Sequence, residues 1–194
     1  MRSIYLLAII SLIFVACNSG TSTTGPATDL AGYETESMDG VTRAYKKNGV
    51  GDIIEQGYVS GGKRNGAWMT YWEDDNAGRI KTIASYTDGL LNGPYLEFTN
   101  RSQIEKEVTY ANNKYHGRFA QYKFGRIEKE INYKDNVLDG KSIDYTSKGN
   151  KQKEVNYKNG KLDGKWMTFN EEGEVTLEYI YKNGEKVSGG IIEK

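Results

Sequence analysis

Four glutamates, Glu107, Glu130, Glu154 and Glu178, recur at intervals of 23 to 24 residues. A row of carboxylates can gather a cation or a basic partner, and a pair of them is the minimum equipment for glycoside hydrolysis. Placed on every second strand of a sheet they would stand about 9–10 Å apart. Repulsion at that distance in water is only about 0.4 kcal/mol per pair, so the row is tolerable without any ligand. Lys106, Lys129 and Lys153 immediately precede three of the glutamates and offer charge balance nearby. The chain has one histidine, His116, and one cysteine, Cys17. Nucleophile–base pairs and zinc sites of the ordinary type therefore lack their partners. His116 precedes Gly117, and the same place before a glycine is held elsewhere by Asp39, Asn65, Asn92, Asp139 and Asp163. A polar side chain that hydrogen-bonds a turn explains all six. No catalytic residue, metal or cofactor is called for.

Aromatic side chains form the second candidate set. Trp68, Tyr95, Phe119 and Trp166 each follow a glycine by two residues, and Trp72 lies four beyond Trp68. Aromatic residues left exposed on a thin sheet mark interfaces. Alternatively, each ring covers the neighbouring strand of its own sheet.

The elements that must position these residues follow from a repeat of about 24 residues. Tyrosines mark it at 33, 58, 86, 110, 133, 157 and 181. Glycines follow at 40, 66, 93, 117, 140 and 164, and a further aromatic comes five positions later, from Tyr45 to Phe169. Between tyrosine and glycine stand Asp88-Gly89, Asn112-Asn113, Asp135-Asn136, Asn159-Gly160 and Asn183-Gly184. Such pairs accept the positive φ of primed two-residue turns. Each unit then reads as two antiparallel strands with turns at both ends. Alternation assigns Met69, Tyr71, Leu96, Phe98, Ile143, Tyr145, Met167 and Phe169 to one face with Val108, Tyr110, Ile131, Tyr133, Val155 and Tyr157. The four glutamates and Trp68, Tyr95, Phe119 and Trp166 fall together on the other, the candidate binding face. The expected fold is all-β: an elongated single-layer antiparallel meander of repeated hairpins, about 13 strands and about 60 Å long. Residues 33–190 form this domain, and the weak copy from residue 185 onward reads as its cap.

The run Tyr157-Lys-Asn-Gly-Lys-Leu-Asp-Gly-Lys-Trp166 resembles the MORN-type repeat, in the bacterial branch often labelled antitoxin-like. The resemblance covers roughly residues 33–190, with degenerate early copies: Arg43 replaces an apolar residue, and Tyr58 is followed by an extra residue before Gly66. It implies a scaffold that binds a partner, and the label implies a toxin as one such partner.

Residues 1–16 carry Arg2 and an apolar run from Ile4 to Val15, the pattern of a secretory signal peptide. Phe14-Val15-Ala16-Cys17 resembles a bacterial lipobox, with Phe14 where leucine is usual, so Cys17 is the expected lipidation site. Residues 17–32 are small and polar and read as a tether of about 20 Å. The charges, 26 basic against 26 acidic, supply no basic stripe for nucleic acid. These features together point to a membrane-anchored lipoprotein of the bacterial cell envelope, expected at the outer membrane with a periplasmic or surface face. The expected activity is non-enzymatic: a surface for a protein or glycan partner, held at the membrane by its lipid. A toxin-binding immunity protein is the alternative, and a glycan-processing enzyme with paired carboxylates the third reading.

Overall fold

The computed structural model describes residues 30–192. The expected signal peptide (1–16), Cys17 and the tether as far as residue 29 lie outside the described residues. The tether's last residues, 30–32, form a turn in which the Tyr33 N–H donates to the Leu30 carbonyl at 3.1 Å.

Fourteen strands follow in chain order: β1 Glu34–Met38, β2 Val41–Lys47, β3 Ile53–Ser60, β4 Lys63–Tyr71, β5 Ile80–Thr87, β6 Leu90–Phe98, β7 Ile104–Ala111, β8 Lys114–Lys123, β9 Arg126–Lys134, β10 Val137–Tyr145, β11 Lys151–Lys158, β12 Lys161–Phe169, β13 Val175–Lys182 and β14 Glu185–Ile191. They form one open antiparallel meander in sequence order. The all-β hairpin architecture read from the repeat is therefore the fold. One strand more is present than the sequence reading allowed. Gly189 and Gly190 look like strand breakers, yet β14 pairs with β13 through both. At Gly189, with φ +104°, a Cβ would strike the Glu178 carbonyl oxygen. Only a glycine lets the backbones approach so closely.

The repeat glycines have a specific task. Between the pairs Tyr157–Leu162 and Val155–Trp166, one residue of β11 faces three of β12. This bulge contains Gly164 at φ +105°. The Asn156 side chain crosses it and donates to the Lys165 carbonyl at 2.8 Å, as Asn132 does to Lys141 at 3.2 Å in the preceding unit. Bulged backbone loses ladder partners, and the asparagine replaces one of them. A Cβ on Gly164 would sit 3.2 Å from Asn156 Cβ. Gly164→Ala is expected to lose about 1–2 kcal/mol, from positive-φ strain and crowding. Urea unfolding measures this, and a variant as stable as the parent would contradict it.

Hairpin turns lock onto the unit before them. The Gly160 N–H donates to the Leu138 carbonyl at 2.8 Å and the Gly184 N–H to Leu162 at 2.7 Å. Asp139 Oδ2 accepts the Asn159 N–H at 3.0 Å, and Asp163 Oδ2 accepts that of Asn183 at 3.1 Å. His116, in the same position, reaches Asp135 at 3.4 Å. Asp139 and Asp163 thus play the turn-binding role that the residue pattern suggested, while His116 meets a side chain of the turn rather than its backbone.

Strand pairing corrects the assignment of faces. Cross-strand partners share a side of the sheet. One central row runs Gly57, Trp68, Ala84, Tyr95, Val108, Phe119, Ile131, Ser142, Val155, Trp166 and Tyr179. On the other side the row runs Gln56, Met69, Ile83, Leu96, Glu107, Ala120, Glu130, Ile143, Glu154, Met167 and Glu178. The expected face combining glutamates with tryptophans does not exist. Each strand's alternation was read correctly, but the bulges put a count from the glycine out of phase with a count from the tyrosine. A shift of one residue moves a strand's whole set of side chains across the sheet.

Candidate functional site

The two rows must be considered separately. On the glutamate side every member of the ladder is paired with a cation, supplied mainly by the residue after the repeat glycine. The Arg118 guanidinium bridges Glu107 at 2.5 Å and Glu130 at 2.6 Å. The Tyr122 hydroxyl adds a bond to Glu107 at 3.1 Å, and that of Tyr145 one to Glu130 at 2.6 Å. Lys141 and Lys151 each hold Glu154 at 2.7 Å, and Lys165 holds Glu178 at 2.9 Å. Lys106, Lys129 and Lys153, expected to balance the ladder, point to the other side. Lys106 pairs with Glu97, while Lys129 and Lys153 share Asp144.

Burial alone would raise the Glu130 carboxyl, but the bonds from Tyr145 and Arg118 hold it below its ordinary value. Glu154 is likewise lowered, burial being outweighed by Lys141 and Lys151. Tyr145 is pushed up to about 12, by burial and then by its bond to Glu130. A glycosidase of the two-carboxylate kind requires one carboxyl kept protonated. Glu130 and Glu154 are biased in the opposite direction. Among the described residues, no group of three or more His, Cys, Asp or Glu side chains is placed to hold a metal ion.

The candidate aromatics separate into four environments. Trp68 is only 2% exposed. Its indole N–H donates to the Tyr58 carbonyl at 2.9 Å, its ring meets Tyr33 and Tyr86 edge-on, and the Arg64 guanidinium lies 4.4 Å from its centroid. It is a packing residue with no surface to offer a partner, which removes it from the candidate binding set. Trp72 has Lys81 at 4.9 Å from its ring and a buried indole N–H without a hydrogen-bond partner.

Phe119 belongs to the largest cluster of rings. Tyr95 packs on Tyr110 at 5.9 Å, Tyr110 on Tyr115 at 5.2 Å, and Tyr115 on both Phe119 and Tyr133 at 6.1 and 5.3 Å. All five rings are half-buried. Burial, and then the bond to Tyr115, raises the Tyr110 hydroxyl well above the usual phenol range. The cluster combines apolar ring faces with hydroxyl groups. Trp166, further along the same row, packs with Tyr179 at 5.8 Å. Tyr115 was not singled out in the sequence because it lies in the turn-proximal part of β8, outside the repeat landmarks.

The turn edge also carries a feature that the landmarks passed over. Four connections there share one design, in which Asn48, Thr99, Thr146 or Asn170 opens a five-residue loop and its side chain accepts a backbone N–H further along. The β8–β9 connection has Lys123 in that place and only Phe124 and Gly125 between the strands. Its one sequence signal is the tyrosine interval from 110 to 133, a residue shorter than the next two. Neither a protein-family model nor a curated protein matches this chain in sequence.

Proposed function

We propose that this is a non-enzymatic, lipid-anchored protein of the bacterial cell envelope whose repeat sheet presents a binding surface for a protein or glycan. The observation that carries the binding reading is the half-buried ring cluster around Tyr115 and Phe119. Rigid aromatics bring large apolar area at low entropy cost, and the tyrosine hydroxyls add hydrogen bonds for orientation. Sugar rings and protein side chains both suit such a surface. The glutamate side is less suited, because its carboxylates are already engaged by the chain's own cations. The address rests on Cys17 at the end of an apolar leader and on the tether behind it. The repeat pattern, which resembles the MORN type, supports a scaffolding role.

Intact mass and membrane fractionation of the native protein, beside a Cys17→Ser variant, test the address. The expected result is a chain beginning at Cys17 with acyl groups attached, and a variant that loses both the acyl mass and the membrane attachment. An unmodified protein retained in the cytoplasm would overturn the lipoprotein reading and bring the toxin-binding alternative forward. Binding itself is tested by capture from envelope fractions with wild type and Tyr115→Ala. The substitution should abolish retention of the partner.

A further inference from the structure

Phe124 has two unusual properties at once. Its φ is +52° in a two-residue turn, where Asn, Asp or Gly is the ordinary choice, and its side chain is 83% exposed. A bulky residue at positive φ is strained, and a lone exposed ring at a turn tip gains nothing from the fold. Asparagine at this position would relieve both. The residue is therefore placed for contact with something outside the chain.

Cavities of about 460 and 440 Å³ open on the two sides of the turn, and Phe124 lines both. The first is lined by Ile127 and Tyr145 and by the charged Lys123, Arg126 and Glu128, of which Arg126 is held by the Ser147 carbonyl at 2.7 Å. An exposed knob thus stands beside a hole of partly apolar lining. Lys123 and Glu128 are 4.0 Å apart, with side chains 65% and 47% exposed. Such a pair is weak in water and free to exchange partners.

We infer that this turn edge is a self-association site, in which Phe124 of each copy of the chain enters the cavity beside Phe124 of the other. A two-fold interface requires a patch complementary to itself, with knob, hole and both charge signs together. The β8–β9 turn supplies all of these, and across the axis Lys123 of one copy meets Glu128 of the second. A polyanionic or strongly acidic partner would call for a one-signed basic lining, whereas this lining holds both signs. The contact is small, of the weak and reversible class. It lies at the turn edge, at the tip of the β8–β9 hairpin, so self-association and partner binding by the ring cluster can fail independently.

Sedimentation of the full chain over about three decades of concentration tests this. All samples carry Cys17→Ser, so that acylation cannot drive assembly. The expected result is a monomer–dimer equilibrium that Phe124→Asn weakens about tenfold or more. Asparagine suits the turn, so the variant should be at least as stable as the parent, and lost assembly is then not lost folding. Lys123→Glu and Glu128→Lys should each weaken the dimer, and mixing the two variants should restore it as a heterodimer. A wild-type chain that stays monomeric throughout overturns the inference, as does assembly unchanged by Phe124→Asn or a mixture no stronger than its components.

Discussion

Gly57→Ala should destabilise the amino-terminal repeats by about 3 kcal/mol, although it adds one methyl group to a strand. Gly57 pairs directly with Trp68 across β3 and β4. A Cβ there would coincide with the indole, meeting Cγ, Cδ1 and Cδ2 together. The ring cannot slide aside, because its N–H is bonded to the Tyr58 carbonyl and it is flanked by Tyr33, Tyr86 and Arg64. Ejecting it forfeits these contacts, a loss comparable to the ~3–5 kcal/mol of removing a buried tryptophan. Trp68→Ala should therefore cost about as much. The double variant should cost little more than Trp68→Ala alone, since the alanine then faces an empty place.

Because strands contact chiefly their sequence neighbours, the damage should stay local. Hydrogen exchange is expected to show lost protection in β2 to β5 and unchanged protection in β9 to β13. A Gly57→Ala protein within about 0.5 kcal/mol of the parent would contradict this account of the Trp68 site.

The same site shows what could be read from the sequence. Tyrosine, turn pair and glycine disclosed the hairpins, because each answers to a local backbone demand: positive φ, tight reversal, or room for a bulge. Those demands are met where the letters placed them, from Asp88-Gly89 through Asn183-Gly184. The faces were not legible to the same degree. Whether Trp68 shares a side with Glu107 depends on how many residues each bulge absorbs, and that is a property of strand pairs. Trp68 looked like an exposed aromatic for the same reason, since nothing local reveals that its partner across the strands is a glycine. The ion pairs followed the error: with Glu107 moved to the other face, its cation is Arg118 and not Lys106. Phe124 is a departure from the repeat, and a search for recurring landmarks passes over departures.

Glu154 is the position where charge should matter most. It is 4% exposed, the most deeply placed ionisable residue of the ladder, and two lysines engage its two oxygens. Glu154→Ala removes two charge-assisted hydrogen bonds, each of which contributes about 1.5–3 kcal/mol. Lys141 and Lys151 are about half exposed and recover hydration, so the expected net loss is about 2 kcal/mol. Glu178→Ala supplies the control. The Glu178 side chain is 27% exposed against 5% for that of Glu154 and is held by Lys165, so the loss there should stay below about 1 kcal/mol.

The contribution of Glu154 should also depend on pH. The Glu154 carboxyl lies lower in the folded chain than in the unfolded one. The unfolded chain therefore takes up a proton first as pH falls. The contribution is fully present above the unfolded value, near about 4.3, and is lost as pH falls through the folded value. Glu154→Gln deletes this dependence. The stability gap between parent and Glu154→Gln, measured by urea unfolding, should be widest at neutral pH and should narrow below about pH 4. A gap that is constant from neutral to acid pH would mean that Glu154 stabilises the sheet through shape and hydrogen bonding alone, and that its charge contributes nothing.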